Sequence, residues 1–382
     1  MHVAVSIAGF FLIFVILQDA FETVVLPRRV QRTFRITGGF YKATWIRWTR
    51  IAQHIKSASR REGFLAYYGP LSLILLLGFW AVGLIFGFAC VQYGLGEHLQ
   101  LSANETVTFG KLIYHSGETL FTLGYGDIVP SNAAARTFSV IEAGMGFAFL
   151  GVVIGYLPVV YNSFAAREIE ISLLDARAGS PPTAAEFLGR LGCCPEQTVL
   201  DGIFRDWERW CADLLSSHIS YPALVFFRSQ HGNQSWLSAL TVMLDVTSLI
   251  MTGVDGIHPE QAKLTFAMAR HAAVDLAQGV KAQYDPNAPE RLTAEDLDRL
   301  RKELAQHGVT LYDGADVAQR LAELRALYEP YVYSMSLRLR FTLPPWIHGE
   351  YKKDNWQASP WDRAIQARAL EHPGRRPVED HF

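Results

Sequence analysis

From Pro70 to Gln92 the chain runs about 23 residues without a charge. At 1.5 Å per helical residue that length crosses the ~30 Å hydrocarbon core of a bilayer with some tilt. Two other stretches have the same character. Val3 to Leu17 is unbroken apolar sequence and extends through Gln18, Asp19 and Glu22 to Leu26, and Arg136 to Phe164 is apolar and rich in glycine. A cleaved signal peptide would place basic residues before its apolar core; here they follow it, so the first stretch is expected to be a retained anchor. Asp19 and Glu22 are expensive so near a membrane unless paired, and Arg28, Arg29 or Arg32 are the expected partners.

Arg28, Arg29, Arg32, Arg35, Lys42, Arg47, Arg50, Lys56, Arg60 and Arg61 lie between the first two apolar runs, opposed only by Glu62. The positive-inside rule puts this loop in the cytoplasm, so 70–92 runs outward, 136–164 returns, and the amino terminus lies outside. Phe40, Tyr41, Trp45, Trp48, Ile51, Ala52 and Ile55 recur within the loop at helical spacing, as in an amphipathic helix on the inner leaflet or packed on the rest of the protein. Segment 28–61 is therefore expected to meet anionic lipid.

Between the second and third runs, Thr108 to Phe121 is one short helix long, too short to cross, and leads into Thr122-Leu123-Gly124-Tyr125-Gly126-Asp127. Irregular backbone at membrane depth is tolerated only where protein buries it or where it lines a water-filled path, which fits a re-entrant loop. Dehydrating a potassium ion takes several oxygens aimed at one axis, and glycine alternating with larger residues lets consecutive carbonyls turn that way. Four copies of the carbonyls of Thr122, Leu123, Gly124 and Tyr125, with the Thr122 hydroxyl below, would make successive cages. The helix ending near Phe121 aims its negative dipole end at the ion path.

The run T-L-G-Y-G-D-I-V-P between two spans resembles the signature of bacterial potassium channels with two helices per subunit, with Leu123 where valine is commoner. The likeness covers about residues 70 to 165. It implies an all-α homotetrameric pore, potassium held at Thr122, Leu123, Gly124 and Tyr125 with Gly126 completing the turn, and Tyr125 favouring potassium over sodium. It places Glu118 behind the filter near Asp127, where the two carboxyls either share a proton and brace the filter or stand solvated at the outer mouth. Gly146 falls at the family's inner-helix hinge, although glycine there serves close packing equally. Phe121 stands where the family carries threonine, and Tyr114 and His115 stand where it carries an aromatic pair; His115 either bonds Tyr125 or fills space. Glu142, inside a span, is expected to face protein and to bond the pore helix.

After Ser163 charges return, and Ala178-Gly179-Ser180-Pro181-Pro182 reads as a linker. Helices are expected over about 195–217, 234–252, 259–281, 293–306 and 315–338, without strands. Trp236 to Gly253 is nearly apolar enough to span, but Asp245 at its centre makes it a core helix. His218, His231, His258, His271 and His307 show no metal spacing, and neither do Cys90, Cys193, Cys194 and Cys211. A net charge of −2 gives no reason to expect nucleic acid.

The expected chain is thus an all-α membrane protein: an anchor at 1–27, a basic interfacial segment at 28–66, a pore domain at 67–168, a helical cytoplasmic domain at 183–345 and a tail from 346 carrying Trp346, Trp356 and Trp361. Its expected work is passive potassium conduction in the cell (inner) membrane, not catalysis and not dependent on a cofactor. A membrane-anchored sensor with output in the helical domain and a non-selective cation channel are the alternatives.

Overall fold

A computed structural model describes residues 2–26, 35–95, 99–101, 106–192, 196–230, 233–286 and 288–348. Arg28, Arg29, Arg32, Cys193, Cys194, His231, Trp356 and Trp361 lie outside them. The protein is an all-α membrane protein whose described helices form two compact units. The first comprises Met1–Ala165 with Ser216–Arg228, and the second Ala166–Leu215 with Ser229–Phe382.

In the first unit α1 (His2–Ala20) lies antiparallel to α4 (Tyr68–Leu95). A Cβ at Gly87 would meet Ile13 Cγ1 at 2.7 Å and one at Gly83 would meet Ile16 Cδ1 at 2.8 Å, so small residues let the two helices close together. Asp19 closes that seam at the C-terminal end of α1 and is only 5% exposed. Among the described residues its carboxylate accepts the Trp80 indole N–H at 3.0 Å and the Thr37 N–H and hydroxyl, all neutral donors. Glu22 faces Arg35 at 3.9 Å.

The basic segment folds as α2 (Ile36–Gln53) and α3 (Ala58–Ala66). α2 buries Thr37, Tyr41, Trp45, Thr49 and Ala52, a stripe three to four residues apart. Ile51, expected on that stripe, falls one position off it and is 56% exposed. After α4 come β1 (Leu99–Leu101), α5 (Phe109–Leu120), β2 (Ile128–Pro130) and α6 (Ala133–Ala178). The short strands pair antiparallel, Gln100 opposite Val129, and tie the chain after Asp127 to the chain after α4.

α6 does not end near residue 164. Its 46 residues pass through Pro158 to Ala178, and Ile171 and Leu174 keep an apolar stripe going beneath the charges that begin at Arg167. The compact units part inside this helix, between Ala165 and Ala166.

The second unit contains α7 (Ala184–Leu191), most of α8 (Gln197–Ser220), α9 (Trp236–Gly253), α10 (Glu260–Gly279), α11 (Ala294–Gln306), α12 (Ala315–Ala326) and α13 (Glu329–Leu339). The helix expected over 315–338 is two, broken at Leu327 and Tyr328 because Pro330 cannot donate to a preceding turn and so opens a new helix. Among the described residues four helical stretches are long and apolar enough to cross a membrane, yet 83% of the α9 window is buried inside the protein against 22% for the first and 17% for α6. α9 is a core helix.

Candidate functional site

Leu120 ends α5, and the chain leaves it through a tight turn: Phe121 N–H donates to Gly117 O at 3.0 Å, Thr122 N–H to Thr119 O at 3.1 Å and Leu123 N–H to Glu118 O at 2.7 Å. From there Thr122, Gly124 and Gly126 take positive φ values of 57°, 60° and 79°. Left-handed backbone at every second residue turns successive carbonyls toward one side of an extended strand. Glycine supplies two of the three positions without steric cost, and Thr122 carries roughly 1–2 kcal/mol of strain. Leu123 is 56% exposed and Tyr125 69% exposed in a single chain.

Behind the strand, side chains on α5 join α6 and α4. The Ser116 hydroxyl reaches both Glu142 and the Ile85 carbonyl, the latter at 2.9 Å. Glu142 is fully buried, and the bond expected from it to the pore helix is present. The ring nitrogens of His115 face Glu118 Oε1 at 3.0 Å and Ser139 Oγ at 3.3 Å. One turn further along α6, a Cβ at Gly146 would drive into the Leu120 carbonyl. Residues 139, 142 and 146, successive turns of α6, thus hold the pore helix.

Within the chain one Glu118 oxygen bonds His115, and the other has no partner among the described residues. Both His115 nitrogens are occupied, so the Tyr125 hydroxyl is not its partner within the chain. Gly146 sits where space is needed, in unbroken helix. Ser116 and Ser139 went unnoticed in the sequence; the signal was available in Ser139 and Glu142, three apart on one face of an apolar helix.

Ser116 is the sole described partner of the buried Glu142 carboxyl, whose other oxygen has none among the described residues. Ser116→Ala is therefore expected to destabilise the pore unit by about 1–3 kcal/mol, the cost of leaving a buried polar group unanswered. A lowered thermal midpoint of the detergent-solubilised protein would register it, and an unchanged midpoint would count against the bond.

A short helix and a glycine-alternating strand thus lie between two apolar helices, each long enough to cross a membrane. Residues 74–161 match the family model described as Ion channel. The chain is also similar to an uncharacterized membrane protein of Bacillus subtilis (strain 168), YdjJ, at 22% identity over 243 residues, covering 62% of this chain and 69% of that one. No solved structure matches.

Proposed function

We propose that this chain is one subunit of a homotetrameric, potassium-selective channel conducting passively down the electrochemical gradient. The observation that carries the reading is the alternation of left-handed backbone at Thr122, Gly124 and Gly126 within T-L-G-Y-G, directly after a helix whose carbonyl end aims at the strand. The carbonyls of Thr122, Leu123, Gly124 and Tyr125 are the ion ligands, and four chains around an axis cover the filter residues that one chain leaves exposed. Glu118, His115 and Asp127 support the filter from behind. The chain sits in the cell (inner) membrane with its amino terminus outside and the helices after α6 in the cytoplasm, where they regulate the pore; no cofactor takes part.

The basic segment is read as a contact for anionic lipid. With the aromatic stripe of α2 turned inward, Lys42, Arg47, Arg50, Lys56, Arg60 and Arg61 are exposed, and the acid among them, Glu62, is taken by Arg228 at 3.2 Å.

Reconstituted protein in liposomes should carry potassium at least about a hundredfold faster than sodium, the discrimination expected of a carbonyl cage. Equal fluxes make the pore non-selective, and no flux from an assembled tetramer removes the channel reading and leaves a membrane-anchored sensor.

A further inference from the structure

The chain returns from the second unit to the first for one short segment. Pro222, which has no N–H to give, follows the end of α8 at Ser220, and the backbone makes a tight helical turn over Pro222–Phe226 before α9 begins. Ser216–Arg228 belongs to the same compact unit as the pore.

Its side chains are seated in that unit by several kinds of contact. The Phe226 ring lies within an aromatic cage, stacked on Tyr41 at 5.5 Å, 5.0 Å from Trp45 and edge-on to Tyr68 at 5.1 Å. Phe227 sits against Gly69 at the base of α4: a Cβ there would lie 2.7 Å from its ring and 3.1 Å from its Cα, so only glycine admits it. The Phe227 ring is also 5.6 Å from Phe164, and Tyr221 is 5.7 Å from Tyr156, both partners being on α6. Arg228, nearly buried, pairs with Glu62 on α3. Burial lowers its guanidinium to about 10, with Glu62 pulling the other way.

The segment therefore touches two structures at once. One is the base of α4 with α2 and α3 around it, which the α1 seam holds in place. The other is the inner stretch of α6, the helix whose earlier turns grip the pore helix at residues 139, 142 and 146. It is also covalently continuous with α8 on one side and, through residues 229–235, with α9 on the other.

We propose that Tyr221–Arg228 is the coupling element through which the helical region after α6 sets the position of α6, and with it the ion flux. The inference rests on the channel reading. A transmitter needs a fixed reference and a moving target: the cage and the Gly69 seat are the reference, and Tyr156 and Phe164 are the target.

The test uses the full-length chain reconstituted as for the flux assay. Gly69→Cys with Phe227→Cys, in which loss of the Phe227 ring makes room for the new side chain, places two thiols at the closest approach, and oxidation locks the segment to α4. Wild type treated identically controls for the native cysteines. Locking is expected to change potassium flux at least about fivefold, the lower end of ordinary coupling free energies, with reversal by dithiothreitol and an unchanged potassium-to-sodium ratio. Phe226→Leu, which keeps apolar volume but loses the ring stacking, is expected to shift flux in the same assay with selectivity intact. Equal flux from locked, reduced and Phe226→Leu channels overturns the coupling role while leaving the channel reading standing. Absence of potassium flux from wild type removes the channel reading and the coupling with it.

Discussion

Gly146→Ala is expected to reduce ion flux roughly a hundredfold or more. The new Cβ would fall on the carbonyl of Leu120, a backbone atom at the last turn of the pore helix, two residues before Thr122. A backbone clash cannot be relieved by a rotamer change, so α5 and α6 must part. Overpacking of that kind costs about 3 kcal/mol, at the upper end of the usual range. The displaced group is the one from which the filter strand is hung. Gly144, Gly151 and Gly155 on the same helix have nothing within 4 Å of an added Cβ in their own chain, so alanine at those positions is expected to disturb the subunit far less.

The same position separates a hinge from a seat. If α6 needs glycine here only for freedom to bend, moving the glycine one residue on, as Gly146→Ala with Phe147→Gly, restores conduction, since Phe147 is 74% exposed and its removal opens no core. If space is what matters, the double variant stays silent. The close approach to Leu120 leads us to expect silence, measured as potassium flux into liposomes, and wild-type flux from either variant would defeat the packing account.

What could be read in the sequence follows from how local each determinant is. The left-handed backbone at Gly124 and Gly126 was legible because carbonyl alignment imposes a glycine demand on alternate residues. The spans were legible because a bilayer imposes length and polarity on one continuous segment. The described partners of Asp19 were not, since Thr37 and Trp80 lie 18 and 61 residues away and are neutral donors. The continuation of α6 from the expected span to the expected linker at Ala178 was not legible, because charges at Arg167 look like a boundary and the buried Ile171 and Leu174 that carry the helix on are too few to stand out. Nothing local in Tyr221 to Arg228 marks it for the pore unit: its aromatics look like those of any buried turn, and only the cage of Tyr41, Trp45 and Tyr68 tells where they go.

Arg291→Ala is expected to destabilise the second unit by about 3–5 kcal/mol, the usual result of stripping the partner from a buried charge. Asp245 at the middle of α9 is fully buried, and Arg291 binds both its oxygens, at 3.1 and 2.7 Å, while the Tyr328 hydroxyl donates at 2.6 Å. Burial alone would lower the Arg291 guanidinium, but Asp245, Tyr328 and Glu329 around it outweigh burial and hold it above its ordinary value. Burial and the Asp245 charge push the Tyr328 hydroxyl up, so it stays a donor. Neither group titrates near neutral pH, and the network is a fixed structural charge pair. Arg291 also donates to the Pro344 carbonyl at 2.8 Å and lies 5.7 Å from the Trp346 ring centroid, with Arg325 at the same distance, so its loss also loosens the segment after α13. Asp245→Asn is expected to cost less, because Arg291 keeps Glu329 at 3.3 Å and the Pro344 carbonyl. In a unit of this size the larger loss lowers the thermal midpoint by about 10 °C, read by circular dichroism on the detergent-solubilised chain. Equal midpoints for Arg291→Ala and wild type would sink the assignment. They would also reopen the question of α9, because an apolar helix with one aspartate belongs in a protein core only while something there answers the charge.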